Sequence, residues 1–159
     1  MDFKKNLIVS PYCKTIGPKP HPKNYPYFPE VINGIKDKFH ICQIGIEGEE
    51  VLPGINELCQ GLPIGFLITK LQKEADLVIT VDNMINHLCW SYKIPCIVIF
   101  SKSDPEIFGH EENINLLKDR KYLSHNQFDM WQFQSYDINA FIEPEKVMEV
   151  VMQEHTQQH

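Results

Sequence analysis

The chain has 159 residues, of which 43% are hydrophobic and 23% are charged. Those fractions are ordinary for one soluble globular domain, which at this size needs neither a disulfide nor a metal to fold. The formal net charge of -6 argues against nucleic-acid binding, because the phosphate backbone requires a basic surface. A phosphorylated small ligand is still compatible with this charge, since backbone N–H groups can hold a phosphate.

The cysteine pattern and the N-terminus indicate the compartment. Five cysteines are present, no two of them in a CxxC pair, and we interpret them as buried free thiols of a reducing environment. The first ten residues, MDFKKNLIVS, lack the apolar core and cleavage site of a secretory signal. No apolar run approaches the ~20 residues that span a bilayer. We therefore expect a cytoplasmic protein without a membrane span.

The first half of the chain predicts two strands separated by a loop and a helix. The apolar run NLIVSP (6–11) predicts a strand, and the five prolines of residues 14–29 predict a stiff, irregular loop. Apolar residues at helical spacing predict a helix over 27–38, and FHICQIG (39–45) predicts the second strand. The segment 54–63 fits either a short strand or a turn of helix.

The second half continues the alternation of helices and strands. Helices are predicted where apolar residues recur three or four positions apart, at residues 63–75, 85–92 and 145–155. Strands are predicted at the short apolar runs 76–81 and 95–100. The stretches 101–112 and 118–140 carry no predicted element, and the tail 155–159 is expected to be frayed.

These elements predict one α/β domain over residues 1–159, with a core at about 6–154. Several strands are apolar on both faces, as parallel strands covered by helices are. We therefore predict a Rossmann-like, doubly wound parallel sheet of about four to six strands. Ligands of such sheets bind at the carboxyl ends of the strands.

A polar segment, DNMINH (82–87), lies at one such strand end, just before a predicted helix. The first N–H groups of a helix lack internal partners and carry partial positive charge, so this segment can bind an anion without a lysine. Asp82 or Asn83 could instead only cap the helix. His87 lies off the apolar stripe, so it either faces the ligand or is a solvated helix residue.

The surrounding sequence, ADLVITVDNMINHLCWSYKIPCIVIFSKSDP (75–105), resembles the C-terminal half of the ADP-heptose:lipopolysaccharide heptosyltransferases, glycosyltransferase family 9, which have the GT-B fold. The family pattern is A-[DK]-x-V-V-[ST]-x-D-[ST]-G-x-x-H-L-[AT]-A-A-x-x-x-P, then an apolar strand and a loop like G-P-T-D-P. The matching residues are Ala75, Asp76, Val78, Asp82, His87, Leu88, Pro95, Asp104 and Pro105. KNYPYFPEVINGI and QIGIEGEE also resemble the family's lysine segment and glycine-acid loop.

The resemblance implies that the polar segment binds the diphosphate of a nucleotide-diphosphate-sugar donor. The backbone N–H groups of Asn83, Met84 and Ile85 would hold the phosphates, next to the family's acid, Asp82. His87 would lie beside them and stabilise the leaving group.

Two further contacts are implied by the same resemblance. Lys23 would add a point charge to the phosphates, although a solvated loop lysine would have the same sequence context. Glu47, or failing that Glu49, would accept hydrogen bonds from the ribose hydroxyls. Either glutamate could instead be an ordinary surface acid of the EGEE stretch.

The chain departs from the family pattern in two respects. Asn83-Met84 stands where the family has Thr-Gly or Ser-Gly, and glycine is what allows a backbone to approach a phosphate closely. In addition, the resemblance covers only the donor-binding half, roughly residues 6–118 and the final helix, without the half that supplies the acceptor site and general base. We therefore expect a partner chain or a homo-oligomer to complete the site, with FDMWQF (128–133) at the interface.

The sequence thus favours a glycosyltransferase-like domain that binds a nucleotide-sugar. No cofactor or metal is expected, because there is no DxD motif and the histidines lack ligand spacing. The alternative is a non-catalytic nucleotide-binding or scaffolding subunit of a split enzyme. A hydrolase of flavodoxin-like topology is a third hypothesis, but no P-loop, GxSxG or GxGxxG motif supports it.

Overall fold

The computed structural model describes residues 3–15 and 20–157. Six strands form one sheet: β1 (Lys5–Ser10), β2 (Phe39–Gly45), β3 (Glu57–Gln60), β4 (Leu77–Val81), β5 (Cys96–Ile99) and β6 (Ile114–Leu116). Their order across the sheet is β3-β2-β1-β4-β5-β6, and each neighbouring pair is parallel. The predicted single-domain, doubly wound α/β fold is confirmed.

Helices cover both faces of this sheet. They are α1 (Phe28–Ile35), α2 (Ile64–Glu74), α3 (Met84–Ser91), α4 (Pro105–Phe108) and α5 (Pro144–Gln157). Helices α1 and α5 pack in one apolar cluster with alternate residues of β1, and α2 and α3 pack in a second cluster on the other face. Leu7 and Val9 point into the first cluster and Ile8 into the second, which explains why β1 reads as a continuous apolar run.

Helix α1 buries the apolar stripe that its sequence predicts. Its four buried side chains are Phe28, Val31, Ile32 and Ile35. Helix α2 differs from expectation, because Leu71 is fully buried whereas Ile64 at its first turn is half exposed. Helix α2 follows β3, which is an edge strand of the sheet, and the first turn of the helix keeps its apolar side chains at the surface.

Three short elements complete the fold beyond the predicted ones. The ambiguous segment 54–63 contains strand β3, the stretch 101–112 contains α4, and β6 lies between the two stretches without a predicted element. Strand β6 has three residues and α4 only four, which is too short for a periodic pattern to form. The side chain of Asp104 caps α4 by accepting from the Glu106 N–H group at 2.9 Å.

The aromatic stretch and the tail take definite conformations. Three 3-10 turns occupy Arg120–Tyr122, Trp131–Phe133 and Ile138–Ala140. The tail that was expected to be frayed from residue 155 continues α5 as far as Gln157, because the ring of His155 packs edge-on against Phe39 at 5.0 Å between centroids. Residues 158 and 159 lie outside the described residues. No helix in the described part of the chain is both long enough and apolar enough to cross a membrane.

Candidate functional site

The strand order reverses between β1 and β4, so the connections from these neighbouring strands leave toward opposite faces of the sheet. Such a switch point opens a crevice at the carboxyl ends of the strands. A cavity of about 340 Å³ lies there. Its polar lining comes from the end of β1 and the loop after it, from Glu49 after β2 and from the start of α3. It includes Ser10, Tyr12, Lys14 and Asn83.

The rest of this crevice is apolar. Side chains from β2, the loop after β3, α2 and α3 form its walls, among them Ile44, Leu62, Leu67 and Ile85. The volume falls within the range of ~300–1,000 Å³ that is usual for small-molecule sites, which also combine apolar walls with a few polar groups. The crevice therefore has the size and the lining of a ligand pocket.

Asn83 is the N-cap of helix α3. Its backbone is extended, and its side-chain oxygen accepts from the Ile85 N–H group at 2.9 Å. The side-chain amide of Asn83 donates to Ser10 Oγ and to the Tyr12 carbonyl, both at 3.2 Å. Asn83 thus ties the start of α3 to the loop after β1 and fixes the width of the crevice between them.

The cap changes the expectation for the anion site at this helix. Of the three backbone N–H groups assigned to a diphosphate, that of Ile85 is taken by the cap and that of Asn83 donates to the Val81 carbonyl at 2.8 Å. Within the described residues, the Met84 N–H group has no partner, and Met84 lines the crevice. Helix α3 therefore offers one free donor at this end in place of three.

Lys23 is not a solvated loop lysine, and its charge is not free for a phosphate. Its amino nitrogen lies 2.7 Å from Asp82 Oδ2, and the two side chains are only 12% and 5% exposed. The rings of Trp131 and Phe108 cover the same amino group, with centroids at 4.5 and 5.6 Å. The positive charge of Lys23, which the sequence predicts to contact the phosphates, is balanced by Asp82, an acid predicted for the same site.

Lys14, and not Lys23, is the lysine that lines the crevice. It is exposed and lines the crevice beside Tyr12. Sequence reasoning missed it because the resemblance assigned the phosphate contact to Lys23, and only the fold shows that Lys14 meets the crevice.

The two glutamates suggested for a ribose lie in different environments. Glu49 lines the crevice, and its carboxylate accepts from the Ile46 N–H group at 2.6 Å. Burial raises the pKa of Glu49, and the Ile46 N–H group opposes that effect. Both glutamates line a wider neighbouring cleft of about 760 Å³, but Glu47 is exposed and does not line the crevice. The geometry therefore favours Glu49, the second choice from the sequence, as the acid of the crevice.

His87 is exposed and pairs with a second histidine. Its Nδ1 lies 2.8 Å from Nε2 of His110, and the two rings are nearly perpendicular. His110 also stacks on Trp90, with centroids 4.3 Å apart and an angle of 5° between the ring planes. The loop after α4 thus brings to His87 a partner that spacing in the sequence did not predict.

The cysteines form no disulfide bonds. All five are free, and four are buried. Burial raises the pKa of Cys13 and of Cys42 to about 12, which makes them poor nucleophiles. Within residues 3–15 and 20–157, no three side chains of His, Cys, Asp or Glu gather as metal ligands would.

The fold has well-defined counterparts among solved structures. It is similar to that of TibC from enterotoxigenic E. coli, an iron-containing, dodecameric heptosyltransferase whose structure was determined with ADP-D-β-D-heptose. The TM-score is 0.75 at 14% sequence identity, over 100% of this chain and 47% of that chain. The chain is similar in fold to one half of a heptosyltransferase.

Two other solved structures show the same relation. The ADP-heptose lipopolysaccharide heptosyltransferase II of E. coli matches with a TM-score of 0.70 and 14% identity, over 97% of this chain and 47% of that chain. A glycosyltransferase family 9 protein of Veillonella parvula matches with a TM-score of 0.68 and 19% identity, over 96% and 46%. The chain therefore spans about half the length of the proteins it matches. In sequence, neither a family model nor a curated protein matches it significantly.

Proposed function

We propose that this chain is a glycosyltransferase-like domain that binds a nucleotide-diphosphate-sugar in the crevice between β1 and β4. The observation that carries the proposal is the position of the crevice, at the switch point of a sheet whose fold is shared with heptosyltransferases. One of those heptosyltransferases, TibC, was determined with ADP-D-β-D-heptose. A ligand of that chemistry needs an apolar slot, an acceptor for hydroxyl groups and a positive charge, and this crevice contains all three.

The lining residues suggest how such a ligand would lie. The base would pack between the apolar walls near Leu62 and Leu67, and the carboxylate of Glu49 would accept from ribose hydroxyls. The diphosphate would meet the Met84 N–H group and the ammonium of Lys14. A charge-assisted contact of this kind is worth more than a neutral one, because one partner is fully ionised.

In a transfer reaction, the bond between the sugar and the diphosphate would break and the diphosphate would leave with additional negative charge. Lys14 and the Met84 N–H group, which both line the crevice, would stabilise that charge. His87, for which the sequence predicts the same role, is not among the residues that line the crevice. The acceptor and the general base would come from a second half such as the one that the heptosyltransferases carry beyond the matched region. A partner chain or a second copy of this chain is the proposed source of that half.

A second candidate function is nucleotide binding without turnover, as a scaffolding subunit. The specific observation in its favour is the cap of Asn83, which occupies one of the N–H groups that a diphosphate would otherwise meet. Weak stabilisation of the leaving group is compatible with binding but unfavourable for transfer. Tight binding of a nucleotide-sugar without its consumption would favour this alternative.

A thermal-shift screen with nucleosides, nucleoside diphosphates and nucleotide-sugars tests the proposal. A ligand that binds only the folded state stabilises it by ~2.7 kcal/mol at a hundred times its Kd, so an authentic ligand raises the melting temperature in a concentration-dependent way. We expect nucleoside diphosphates to act more strongly than their nucleosides. If no nucleotide raises the melting temperature at millimolar concentration, the crevice is not a nucleotide site.

A further inference from the structure

The crevice adjoins the wider cleft of about 760 Å³ beside it. Four residues line both cavities and so form the boundary between them, namely Tyr12, Lys14, Ile46 and Glu49. In the proposed function the diphosphate lies against Lys14, which is one of these boundary residues. The group that the diphosphate carries on its far side therefore has the wider cleft open to it.

One wall of the wider cleft is the acid loop, residues 46–52 after β2, which carries Glu47, Glu49 and Glu50. The side chain of Gln43, buried in β2, donates to the Glu50 carbonyl at 2.9 Å and accepts from the N–H group two residues later at 2.8 Å. Gln60 in β3 donates to the Glu49 carbonyl at 3.0 Å. Two strands thus hold the backbone that carries the glutamates in place before any ligand binds, which lowers the cost of binding.

A second wall carries groups that suit a ligand with hydroxyls. The loop after β1 contributes Asn24, whose Oδ1 accepts from the Cys13 N–H group at 2.8 Å. That bond orients the side-chain amide, and within the described residues its nitrogen has no partner, so it can donate to a hydroxyl. Tyr136 lines the cleft as well, and its hydroxyl donates to the Asn24 carbonyl at 3.4 Å. Carboxylates, an amide and aromatic rings together match the hydroxyls and apolar C–H groups of a sugar.

The charges along the cleft are unequal. Among the described residues that line it, Lys14 is the single cation against three glutamates. Burial, followed by the charges of Glu50 and then Glu49, raises the pKa of Tyr12 to about 12, so the negative field of the acid loop reaches the boundary with the crevice. Once a diphosphate occupies Lys14, the rest of the cleft is negatively charged, and a second anionic group there is repelled.

We propose that the wider cleft is the subsite for the sugar of the nucleotide-sugar, and that Glu47 and Glu50 select a sugar without negative charge, with an amino sugar preferred over a neutral one. This assignment rests on the proposed function. A protonated amine is attracted by the two carboxylates, a hydroxyl donates to them as a neutral group, and the carboxylate of a uronic acid meets like charge. Repulsion of the wrong sugar then contributes to specificity together with contacts to the right one.

Three ligands that differ in the charge of the sugar test this selection: ADP-glucosamine, ADP-glucose and ADP-glucuronic acid, with ADP as the reference. Calorimetric titration is carried out at slightly acidic pH, where the amine is protonated and the uronic acid is ionised. We expect the affinity of the parent to fall in that order, several-fold at each step. An amino sugar that binds no more tightly than glucose would refute the preference for an amine. A uronic acid that binds as tightly as glucose would refute the exclusion of anionic sugars.

The role of the two glutamates is tested by Glu47→Gln and Glu50→Gln, which keep the shape of the side chain and remove its charge. Each is expected to narrow the ratio of the Kd values for ADP-glucuronic acid and ADP-glucosamine several-fold. Glu111→Gln removes the same charge at an exposed position before β6, the edge strand farthest from β2, and should keep the ratio of the parent.

Two outcomes separate this assignment from the proposed function. If the parent binds ADP but the ratio is the same in all variants, or narrows equally in Glu111→Gln, the subsite is overturned and the nucleotide site stands. If the parent does not bind ADP at all, the proposed function fails and the sugar subsite fails with it.

Discussion

Lys23 and Asp82 form an ion pair that links the proline-rich loop after β1 to the end of β4. The distance between Lys23 Nζ and Asp82 Oδ2 is 2.7 Å, and both side chains are largely withdrawn from water. The ring of Trp131 lies over the ammonium group of Lys23 and shields the ion pair from water. The sequence predicts a ligand contact for both residues, and in the fold their ion pair ties the loop after β1 to the end of β4.

Removal of one partner of this pair should destabilise the fold strongly. Asp82→Asn leaves the ammonium of Lys23 without its counter-charge, and the loss of one partner of a buried ion pair costs about 3–5 kcal/mol. Urea unfolding at neutral pH measures the change in the free energy of unfolding. The double variant Lys23→Met, Asp82→Asn should recover part of the loss, because no uncompensated charge then stays buried.

The exposed pair Lys118–Glu143 provides the matched control. Its nitrogen–oxygen distance is 3.3 Å, but its side chains are 32% and 60% exposed. Surface pairs contribute about 0–1 kcal/mol, so Glu143→Gln should change stability little. If Asp82→Asn lowers the free energy of unfolding as little as Glu143→Gln does, the buried ion pair contributes no more to stability than the exposed one.

Lys14 and Lys146 should respond differently in ligand binding. Lys14→Ala is expected to weaken ADP binding by about 1–3 kcal/mol through the loss of a charge-assisted contact, with the free energy of unfolding unchanged. Lys146→Ala, on the exposed side of α5, serves as the control for net charge. Calorimetric titration of the parent and of the two variants with ADP measures the change in affinity. An equal loss of affinity in Lys14→Ala and Lys146→Ala would show that net charge, and not a contact with Lys14, is responsible.

The N-cap of α3 should contribute measurably to stability. Asn83→Ala removes the acceptor for the Ile85 N–H group and is expected to lower the free energy of unfolding by about 0.5–2 kcal/mol. Asn83→Asp keeps the acceptor but loses the bonds to Ser10 and Tyr12, so it should fall between the parent and the alanine variant. Chemical denaturation ranks the three. A stability order that places Asn83→Asp below Asn83→Ala would contradict the cap.

His21 should make the protein less stable as the pH falls from about 6.5 to about 4. Burial, followed by the charge of Lys23, lowers the pKa of His21 to about 4, so in this window the unfolded chain binds a proton that the folded chain does not. His21→Asn keeps an acceptor for the Lys23 N–H group, which now donates to Nδ1 at 3.1 Å, but cannot titrate. Denaturation curves across the window should show a shallower pH dependence for this variant, with His125→Asn as an exposed control. An identical slope for His21→Asn and the parent would rule out the buried, neutral state of His21.

Segment 128–133 should mediate association of the chain. Phe128 and Phe133 are 80% and 79% exposed, and a concentration of exposed apolar side chains in one short segment favours an interface over solvent. We expect the parent to self-associate in light scattering, most simply as a twofold dimer, and Phe128→Ser with Phe133→Ser to increase the monomer fraction. Phe66→Ser, at an exposed position on α2, is the control. The segment is not an interface if the parent is monomeric at every concentration, or if Phe66→Ser raises the monomer fraction as much as the double variant does.

Sequence alone determined the sheet class, most of the strands and the buried face of α1. These features depend on patterns that the chain carries locally, namely short apolar runs for strands covered on both faces and a three- to four-residue spacing for helices. The position of the polar segment at a strand end was determined in the same way. Short elements such as β6 and α4 carry no such pattern, because three or four residues do not complete a period.

Only the tertiary structure decided which polar side chains are free to meet a ligand. Asp82 and Lys23 lie 59 positions apart in the chain, and His87 and His110 lie 23 positions apart. Local sequence carries no information about contacts of this kind. A lysine or histidine looks the same in sequence whether its charge is compensated or exposed. The fold places Lys23 against Asp82 and Lys14 at the crevice. Desolvation of a charge favours its pairing with an opposite charge wherever the fold brings the two together.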